Sequence, residues 1–308
     1  MDLRFPCDYG GYRLTGLLGT GGTAEVFRAE TRTASGTVNH VAVRRIARAV
    51  EGEAQKILLE EASIWVSLRH PNIVTVVDIG QHENDWFLVL ELVDGPSVDD
   101  LLRAGGAISS RESLAIAHRV ALALHASHTL TVYGRKMEVV HRDVKPANVL
   151  IGKSGAVKLT DFGIARAVDR LGRTNAGIVK GSLHFLAPEQ VRKEPLDPRT
   201  DLFQLGCTLH TMLTCRPLID LPKDPLLRTL ARGDIPAAPL YLPDPAQHVL
   251  NALLAPEPAD RPASAAAAAD LIANALAPES PAAIEAALSA RVKQFDAARA
   301  AKAAPRPR

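Results

Sequence analysis

The chain has 308 residues, with 36 Lys and Arg against 34 Asp and Glu and a formal net charge of +2. This length allows about one to three domains, and 47% hydrophobic with 23% charged residues is typical of a folded globular protein rather than a disordered or fibrous one. So small a charge excess gives no electrostatic case for binding nucleic acid or an anionic membrane surface.

The cysteines and the hydrophobic pattern bear on the compartment. Three cysteines, far apart and without the paired spacing of a metal site, indicate a reducing environment, so we expect a cytoplasmic protein. The N-terminal residues carry no apolar segment typical of a signal peptide. No stretch approaches the ~20 apolar residues of a membrane span, and we expect neither a membrane nor a nucleic-acid partner.

The first 92 residues are mostly strand-like. Runs of β-branched or aromatic residues, bounded by turn-forming residues, predict strands at 26–28, 38–43, 73–79 and 86–92. Apolar residues at helical spacing predict one helix at 54–68.

Helical patterns dominate after residue 94. We predict a helix at 109–129, opened by Ser109 as a cap, and further helices at 201–214, 247–254 and 264–276. The sequence therefore predicts an α+β fold, with a small β-rich lobe (1–92), a larger helical lobe (93–276) and a short hinge at 91–95.

The segment 277–308 is rich in Ala and Pro. Ile284, Leu288, Val292 and Phe295 recur at i, i+4, i+8 and i+11, which predicts a short amphipathic helix ending before Pro305. We favour a helix packed on the domain, or a frayed tail, over a dedicated partner site, because such stripes usually mark simple burial.

A glycine-rich turn, GTGGTA, occupies residues 19–24. Glycines let backbone N–H groups approach phosphate oxygens without interference from a Cβ. Alone, the turn is more typical of a tight hairpin than of a phosphate-binding loop. A dinucleotide-binding motif would need a helix to follow, whereas EVFRA at 25–29 is typical of a returning strand.

Three further motifs follow in order: HRDVKPAN at 141–148, DFG at 161–163 and APE at 187–189. Together with the glycine-rich turn, they make residues 10–276 resemble the protein kinase family, and in particular the bacterial eukaryotic-like (Hanks-type) Ser/Thr protein kinases. The resemblance implies the bilobal kinase fold, with the nucleotide bound by the N-lobe, and transfer of the γ-phosphate of ATP to Ser or Thr hydroxyls of a protein substrate.

The resemblance also assigns roles to residues. Phosphoryl transfer depends on positioning and charge neutralisation: Asp143 would handle the substrate hydroxyl proton, and Lys145 would neutralise the transferring phosphate. Asn148 is part of the same catalytic loop and, with Asp161, would hold Mg²⁺ through the oxygen ligands that this ion prefers. The residues that the resemblance implies bind ATP are Leu18, Gly19, Thr20, Gly21, Gly22, Val26, Ala42, Arg44, Glu61, Leu90, Glu91, Val93 and Leu150.

Arg44 departs from the family pattern, which has Lys at this position of the third strand. Arg45 follows, so a one-residue slip in the alignment does not restore a Lys. The helix partner expected for this residue, Glu61, is present. A guanidinium is longer than an ammonium group and differs from it in shape. We therefore expect Arg44 to bind Glu61 well, to bind the α- and β-phosphates of ATP poorly, and so to reduce the kinase activity.

The activation segment is unusual too. Arg142 predicts a basic pocket able to receive a loop phosphate. Relatives commonly carry phosphorylatable Thr where this chain has Ala176 and Ile178, which leaves Thr174 as the nearby candidate.

The family pattern predicts structural contacts as well. We expect a buried ion pair between Glu189 and Arg261, Asp201 at the start of the central helix of the large lobe, and Trp65 packed towards Phe162.

Other interpretations stay open. Arg44 favours a pseudokinase that acts as a scaffold or allosteric partner, whereas the intact residues Asp143 and Asp161 oppose it. A small-molecule phosphotransferase of similar fold is disfavoured by the APE motif. A second kinase copy or a regulatory protein is a further candidate partner.

His118, His125 and His128 on the predicted helix 109–129 could hold a metal, but packing beneath the catalytic loop is the better interpretation, because no suitably spaced carboxylate or Cys accompanies them.

Overall fold

The computed structural model describes residues 4–20, 24–33, 35–46, 62, 64–83, 85–162, 182–276 and 280–303. The chain forms two compact units. The first comprises Met1–His70, Val74–Leu92 and Phe162–Val179, and the second comprises Pro71–Ile73, Val93–Asp161 and Lys180–Arg308. Within the described ranges, no helix has the length and apolar character needed to cross a membrane.

The first unit contains an antiparallel sheet of six strands, in the order β1-β2-β3-β4-β6-β5. The strands are β1 (Cys7–Tyr9), β2 (Tyr12–Thr20), β3 (Ala24–Arg32), β4 (Val38–Ile46), β5 (Val76–His82) and β6 (Asp85–Glu91).

The four predicted strands correspond to β3, β4, β5 and β6, but the start predicted for β5 is wrong by three residues. Ile73 lies outside the ladder and instead forms an isolated bridge with Leu159. A run of β-branched residues gives the strand pattern but not the point at which pairing begins.

Alternation divides the residues of this sheet between two faces. One face carries the core cluster of Tyr9, Leu14, Phe27, Ala29, Val41, Val43, Phe87 and Val89. Val26 pairs with Arg44, and Ala42 pairs with Leu90, so these four residues share the opposite face.

The sheet is strongly curled. Although β1 and β5 stand at opposite ends of the strand order, the rings of Tyr9 and His82 lie 4.4 Å apart. The hydroxyl of Tyr12 in β2 donates a hydrogen bond of 2.9 Å to Asp78 in β5. Burial, together with this bond to a carboxylate, raises the pKa of Tyr12 to about 12.

Residues 64–67 of the first unit are helical. Trp65 is buried, its Nε1 donates to the carbonyl of Val74 at 3.0 Å, and its ring centroid lies 6.5 Å from that of Phe162. The predicted packing of Trp65 towards Phe162 is therefore confirmed. Most of the predicted helix 54–68, Glu61 included, lies outside the described residues.

The second unit is mainly helical. Its helices are α1 (Val98–Gly105), α2 (Ser110–His128), α3 (Pro188–Arg192), α4 (Arg199–Thr214), α5 (Lys223–Arg232), α6 (Asp244–Leu253), α7 (Ala265–Leu276) and α8 (Pro281–Ala303). Two hairpins accompany them: β7 (Thr131–Val132) with β8 (Arg135–Lys136), and β9 (Val149–Ile151) with β10 (Val157–Leu159). Helix α2 packs against α4 and α7.

The helices predicted at 109–129, 201–214, 247–254 and 264–276 are confirmed as α2, α4, α6 and α7, with corrected ends. Helix α2 begins after Ser109, whose hydroxyl accepts from the N–H of Glu112, so the predicted cap is correct. Helices α4 and α6 begin two and three residues earlier than predicted, directly after Pro198 and Pro243. In α6, Pro245 lies in the first helical turn, where proline is tolerated because its missing N–H would have no partner within the helix.

The predicted ion pair between Glu189 and Arg261 is present in the second unit. The guanidinium donates two hydrogen bonds to the carboxylate, at 2.7 and 2.9 Å, and the two side chains are 2% and 0% exposed. Arg261 also donates to the carbonyls of Arg199, Ala255 and Pro256. Its donors are therefore paired despite the burial, as a buried charge requires.

The C-terminal segment forms a longer helix than predicted. Helix α8 has 23 residues, and Ile284, Leu288 and Val292 are buried as the stripe predicts. Phe295 is half-buried. The helix packs against α1 and α2.

Candidate active site

Helix α4 supports the loop that carries the HRD motif. Asp201, in the first turn of α4, is completely buried. Its carboxylate accepts from the backbone N–H groups of His141 at 2.8 Å and Arg142 at 2.7 Å. His128 Nε2 lies 2.7 Å from the same carboxylate. Asp201 thus fixes the start of the loop through two backbone contacts.

Gln204 and Thr208 extend this support along the same face of α4. Gln204 Oε1 accepts from the N–H of Val144 at 2.9 Å, and its Nε2 donates to the carbonyl of Arg142 at 2.8 Å. Thr208 Oγ1 donates to the carbonyl of Val144 at 3.3 Å. Neither residue was predicted from the sequence, because their role depends on which face of α4 meets the loop, although spacings of three and seven residues place them on the same helix face as Asp201.

His141 links this loop to the strand that precedes the DFG motif. Its Nε2 lies 2.9 Å from the carbonyl of Thr160, and its Nδ1 accepts from the N–H of Asp143 at 3.3 Å. Because a carbonyl only accepts, these partners assign the proton to Nε2 of a neutral ring. The side chain is completely buried, so both bonds hold the loop in place.

The three side chains predicted to be catalytic lie together. Lys145 Nζ is 2.5 Å from Asp143 Oδ2. The amide nitrogen of Asn148 donates to Asp143 twice, to its carbonyl at 2.8 Å and to Oδ2 at 3.1 Å. The Asp143 side chain is 30% exposed. One oxygen of the carboxylate is therefore held by two donors while the group stays accessible.

Asp161 and Asn148 are connected through backbone. The N–H of Thr160 donates to the carbonyl of Asn148 at 2.9 Å, and Asp161 follows directly with a positive φ of 69°, an uncommon conformation that favours functional positions. The amide nitrogen of Asn148 is engaged with Asp143, which leaves its oxygen as the ligand atom. An amide oxygen and a carboxylate are a donor set that fits Mg²⁺.

The predicted nucleotide-binding residues of the first unit fall on two features. Val26, Ala42, Arg44 and Leu90 share one face of the sheet. Leu18, Gly19 and Thr20 end β2, and Leu18 is exposed. Glu91 ends β6, and its carboxylate accepts from the N–H of Thr75 at 2.8 Å. Gly21, Gly22 and Glu61 lie outside the described residues.

The second unit holds the other two predicted nucleotide-binding residues. Leu150 lies in β9, which is tied to the start of α1 by a bridge between Leu150 and Ser97. Val93 precedes a tight segment in which the N–H of Gly95 donates to the carbonyl of Val93 at 3.0 Å.

Arg44 and Arg45 point to opposite faces of β4. Arg44 lies opposite Val26 and Leu88 and is only 6% exposed. Arg45 forms an ion pair with Glu25 of β3. Arg44 therefore occupies the face shared with Ala42, and Arg45 does not substitute for it.

Two further predictions concern Thr174 and the histidines of α2. The expected phosphorylation site, Thr174, lies outside the described residues. His128 is engaged with Asp201 beneath the catalytic loop, as the packing interpretation expects. Among the described residues, no group of three or more His, Cys, Asp or Glu is arranged to hold a metal.

This combination of a curled antiparallel sheet and a helical unit that presents the HRD loop and the DFG aspartate is that of the protein kinases. The family model described as "Protein kinase domain" matches residues 12–272, and the chain belongs to this family.

Curated relatives include the tyrosine-protein kinase MasK of Myxococcus xanthus, which is 34% identical over 275 residues, covering 86% of this chain and 43% of MasK. The serine/threonine-protein kinase PrkC of Bacillus subtilis is 32% identical over 246 residues, covering 80% of this chain and 37% of PrkC. The chain thus spans less than half the length of these relatives. A crystal structure of a mutant form of the Mycobacterium tuberculosis PknI kinase domain is similar with a TM-score of 0.68 and 26% identity, covering 89% of this chain and 99% of that one.

Proposed function

We propose that this chain is an ATP- and Mg²⁺-dependent protein kinase that phosphorylates Ser or Thr residues of protein substrates. The observation that carries the proposal is the arrangement of Asp143, Lys145 and Asn148, in which two donors hold one oxygen of an accessible carboxylate. The other carboxylate oxygen is the candidate acceptor for the proton of a substrate hydroxyl.

The chemistry follows from charge and position. Lys145 would neutralise charge on the phosphoryl group during transfer, and Asp143 would orient the attacking hydroxyl. Asn148 and Asp161 would hold Mg²⁺, which neutralises phosphate charge when bound. The nucleotide would be bound by the residues named above on the face of the sheet opposite the core cluster, with the backbone of Glu91 and Val93 hydrogen-bonding the adenine and Leu150 packing against it.

The preference for Ser or Thr rests on Lys145, since Lys two residues after the catalytic Asp is a feature of Ser/Thr kinases. The similarity to MasK, whose name assigns tyrosine specificity, makes the acceptor residue a specific point to test.

The decisive experiment uses radiolabelled ATP and Mg²⁺ with the unmodified chain and with Asp143→Asn, followed by phosphoamino acid analysis. We expect slow labelling on Ser or Thr that depends on Asp143. Labelling no greater than that of Asp143→Asn would refute the proposal, and phosphotyrosine alone would refute its specificity.

The second candidate function is that of a pseudokinase, a nucleotide-binding scaffold or allosteric partner. It is favoured by one observation, the buried Arg44 on the face proposed for the nucleotide. Nucleotide binding without Asp143-dependent transfer would support it.

We further propose the boundaries 1–92 for the nucleotide-binding lobe, 93–276 for the catalytic lobe and 277–308 for a C-terminal extension. A cytoplasmic location is part of the same proposal and is supported by the cysteine usage of the sequence. A second copy of the chain or a regulatory protein is a further proposed partner.

A further inference from the structure

Helix α8 lies beyond residues 12–272, which the protein kinase family model matches, yet it is firmly attached to the second unit. Ile284, Leu288 and Val292, each four residues apart, are buried. The guanidinium of Arg291 donates to the carboxylate of Glu112 at 2.8 and 2.6 Å. The helix therefore has an apolar and a charged attachment to the unit that carries the catalytic loop.

A second contact joins α8 to the turn 152–156, which connects β9 to β10. The hydroxyl of Ser289 donates to the carbonyl of Lys153 at 2.7 Å. Gly155 has a φ of +90°, and a Cβ built there would lie 2.2 Å from the carbonyl oxygen of Glu285. Only glycine combines this backbone conformation with so close an approach, so the turn and the helix fit each other backbone to backbone.

The same turn contacts the segment that follows Val93. Lys153 donates twice to Asp94, from its N–H to the carbonyl at 3.0 Å and from Nζ to the carboxylate at 2.7 Å. A Cβ on Gly95 would lie 2.0 Å from the carbonyl of Ile151. The turn is thus packed between α8 on one side and residues 94–96 on the other.

These contacts form a continuous chain from α8 to the residues proposed to bind the adenine. Val93 directly precedes Asp94, and Leu150 lies in β9, which leads into the turn. Displacement of α8 would release the turn, and with it the residues on both of its sides.

We propose that α8 positions Val93 and Leu150 for the nucleotide through the turn 152–156, so that loss of the contact weakens ATP binding. This inference rests on the proposed nucleotide-binding role of those two residues. The physical reason is preorganisation: a binding segment that is already fixed loses less conformational freedom when the ligand arrives. A helix that served folding alone would change stability without changing affinity.

The test compares two changes at the contact with one elsewhere on the helix. Ser289→Ala removes the hydrogen bond to Lys153, and Gly155→Ala forces the turn away from Glu285. Ser280→Ala is the matched control, because Ser280 caps the start of α8 by accepting from the N–H of Ala283 at 3.2 Å. It weakens the helix without touching the turn.

Affinity for adenylyl imidodiphosphate, a non-hydrolysable ATP analogue, is measured with Mg²⁺ by calorimetry, alongside the melting temperature of each variant. We expect binding to weaken ~3-fold in Ser289→Ala and at least ~10-fold in Gly155→Ala, the latter equivalent to ~1.4 kcal/mol. Ser280→Ala should melt at a lower temperature and bind as the unmodified chain does. Ser289→Thr, which keeps the hydroxyl, should restore the affinity.

Unchanged affinity in both contact variants, with melting temperatures lowered as in Ser280→Ala, would overturn the inference and leave α8 a stabilising element. Failure of the unmodified chain to bind the analogue would overturn it too. Because the readout is binding, a chain that binds the analogue but transfers no phosphate refutes the proposed kinase activity and leaves this comparison intact.

Discussion

The hydrogen bonds of Gln204 offer a direct test of how α4 holds the catalytic loop. The side chain is 1% exposed, and Gln204→Ala removes three bonds of 2.8–2.9 Å, to Val144, Arg142 and Gln190. The consequences differ among the partners. The carbonyl of Arg142 retains a second donor, Gln190 Nε2, at 3.3 Å, whereas the buried N–H of Val144 loses the acceptor that Gln204 provides.

The cost follows from these partners. An orphaned buried N–H costs about 1–3 kcal/mol, and each of the other two lost bonds contributes about 0.5–1.5 kcal/mol. Allowing for relaxation, we expect Gln204→Ala to lose about 3 kcal/mol of stability. At about 2–4 °C per kcal/mol for a chain of a few hundred residues, the melting temperature should fall by roughly 6–12 °C.

Gln247→Ala is the matched control. The half-exposed Gln247 also donates from its Nε2 to two carbonyls, those of Leu242 at 2.7 Å and Leu240 at 3.4 Å. Water can replace it there, so its loss should cost less than about 1 kcal/mol. Differential scanning fluorimetry and steady-state kinetics are run on both variants below their melting range. Gln204→Ala should lose at least ~10-fold in kcat. Equal melting temperatures for the two variants would show that α4 does not hold the loop in this way.

Three further predictions concern other parts of the molecule. Arg44→Lys should raise kcat/KM for ATP by at least ~10-fold, or ~1.4 kcal/mol, if the guanidinium handicaps phosphate binding; no gain in steady-state assays beside Arg44→Ala contradicts this. Thr174→Ala should lower activity, and phosphopeptide mapping should find Thr174 modified; mapping that finds only other sites, with the variant fully active, rejects it. Burial of Glu189 opposes ionisation, but bonds from Arg261 outweigh it and hold the pKa below its ordinary value. The stability this supplies is present above about pH 4.5 and lost as pH falls through the lowered pKa. The melting temperature of the unmodified chain should therefore drop on acidification, and that of Glu189→Gln should drop less steeply. At neutral pH, Glu189→Gln should lose ~3–5 kcal/mol of folding stability. Parallel plots of melting temperature against pH for the two proteins would contradict the proposed contribution of the ion pair.

Much of the fold followed from local patterns. The cap at Ser109 and the apolar spacing of α2 are local signals, and the structure reproduces them. The hairpin of β7 and β8, with two residues in each strand, has no such signal, because strands this short depend on their surroundings. Helix α8 exceeds its predicted length because Ala-rich sequence after Phe295 continues the helix by intrinsic propensity without an apolar stripe.

The residues of the candidate site could also be predicted only in part from the sequence. The motif residues Asp143, Asn148 and Asp161 could be named from order and spacing alone. The support from Gln204 and Thr208 could not, since it depends on which face of α4 meets the loop. The backbone of Gly155 lies close to that of Glu285, 130 positions along the chain. A contact of this kind leaves no pattern of side chains in the sequence from which it could be predicted.

The curl of the six-stranded sheet has a consequence for how molecules of this protein meet one another. The unpaired backbone groups of a sheet's edge strands can form hydrogen bonds with further chains, which leads to aggregation. Here the terminal strand β1 has only three residues. Its Tyr9 ring contacts the ring of His82 in the other terminal strand at a tilted angle, and Tyr12 and Asp78 are hydrogen-bonded alongside. Side chains of β1 and β2 thus contact those of β5 across the curl, and the short β1 offers few backbone groups to which a neighbouring molecule could add a strand.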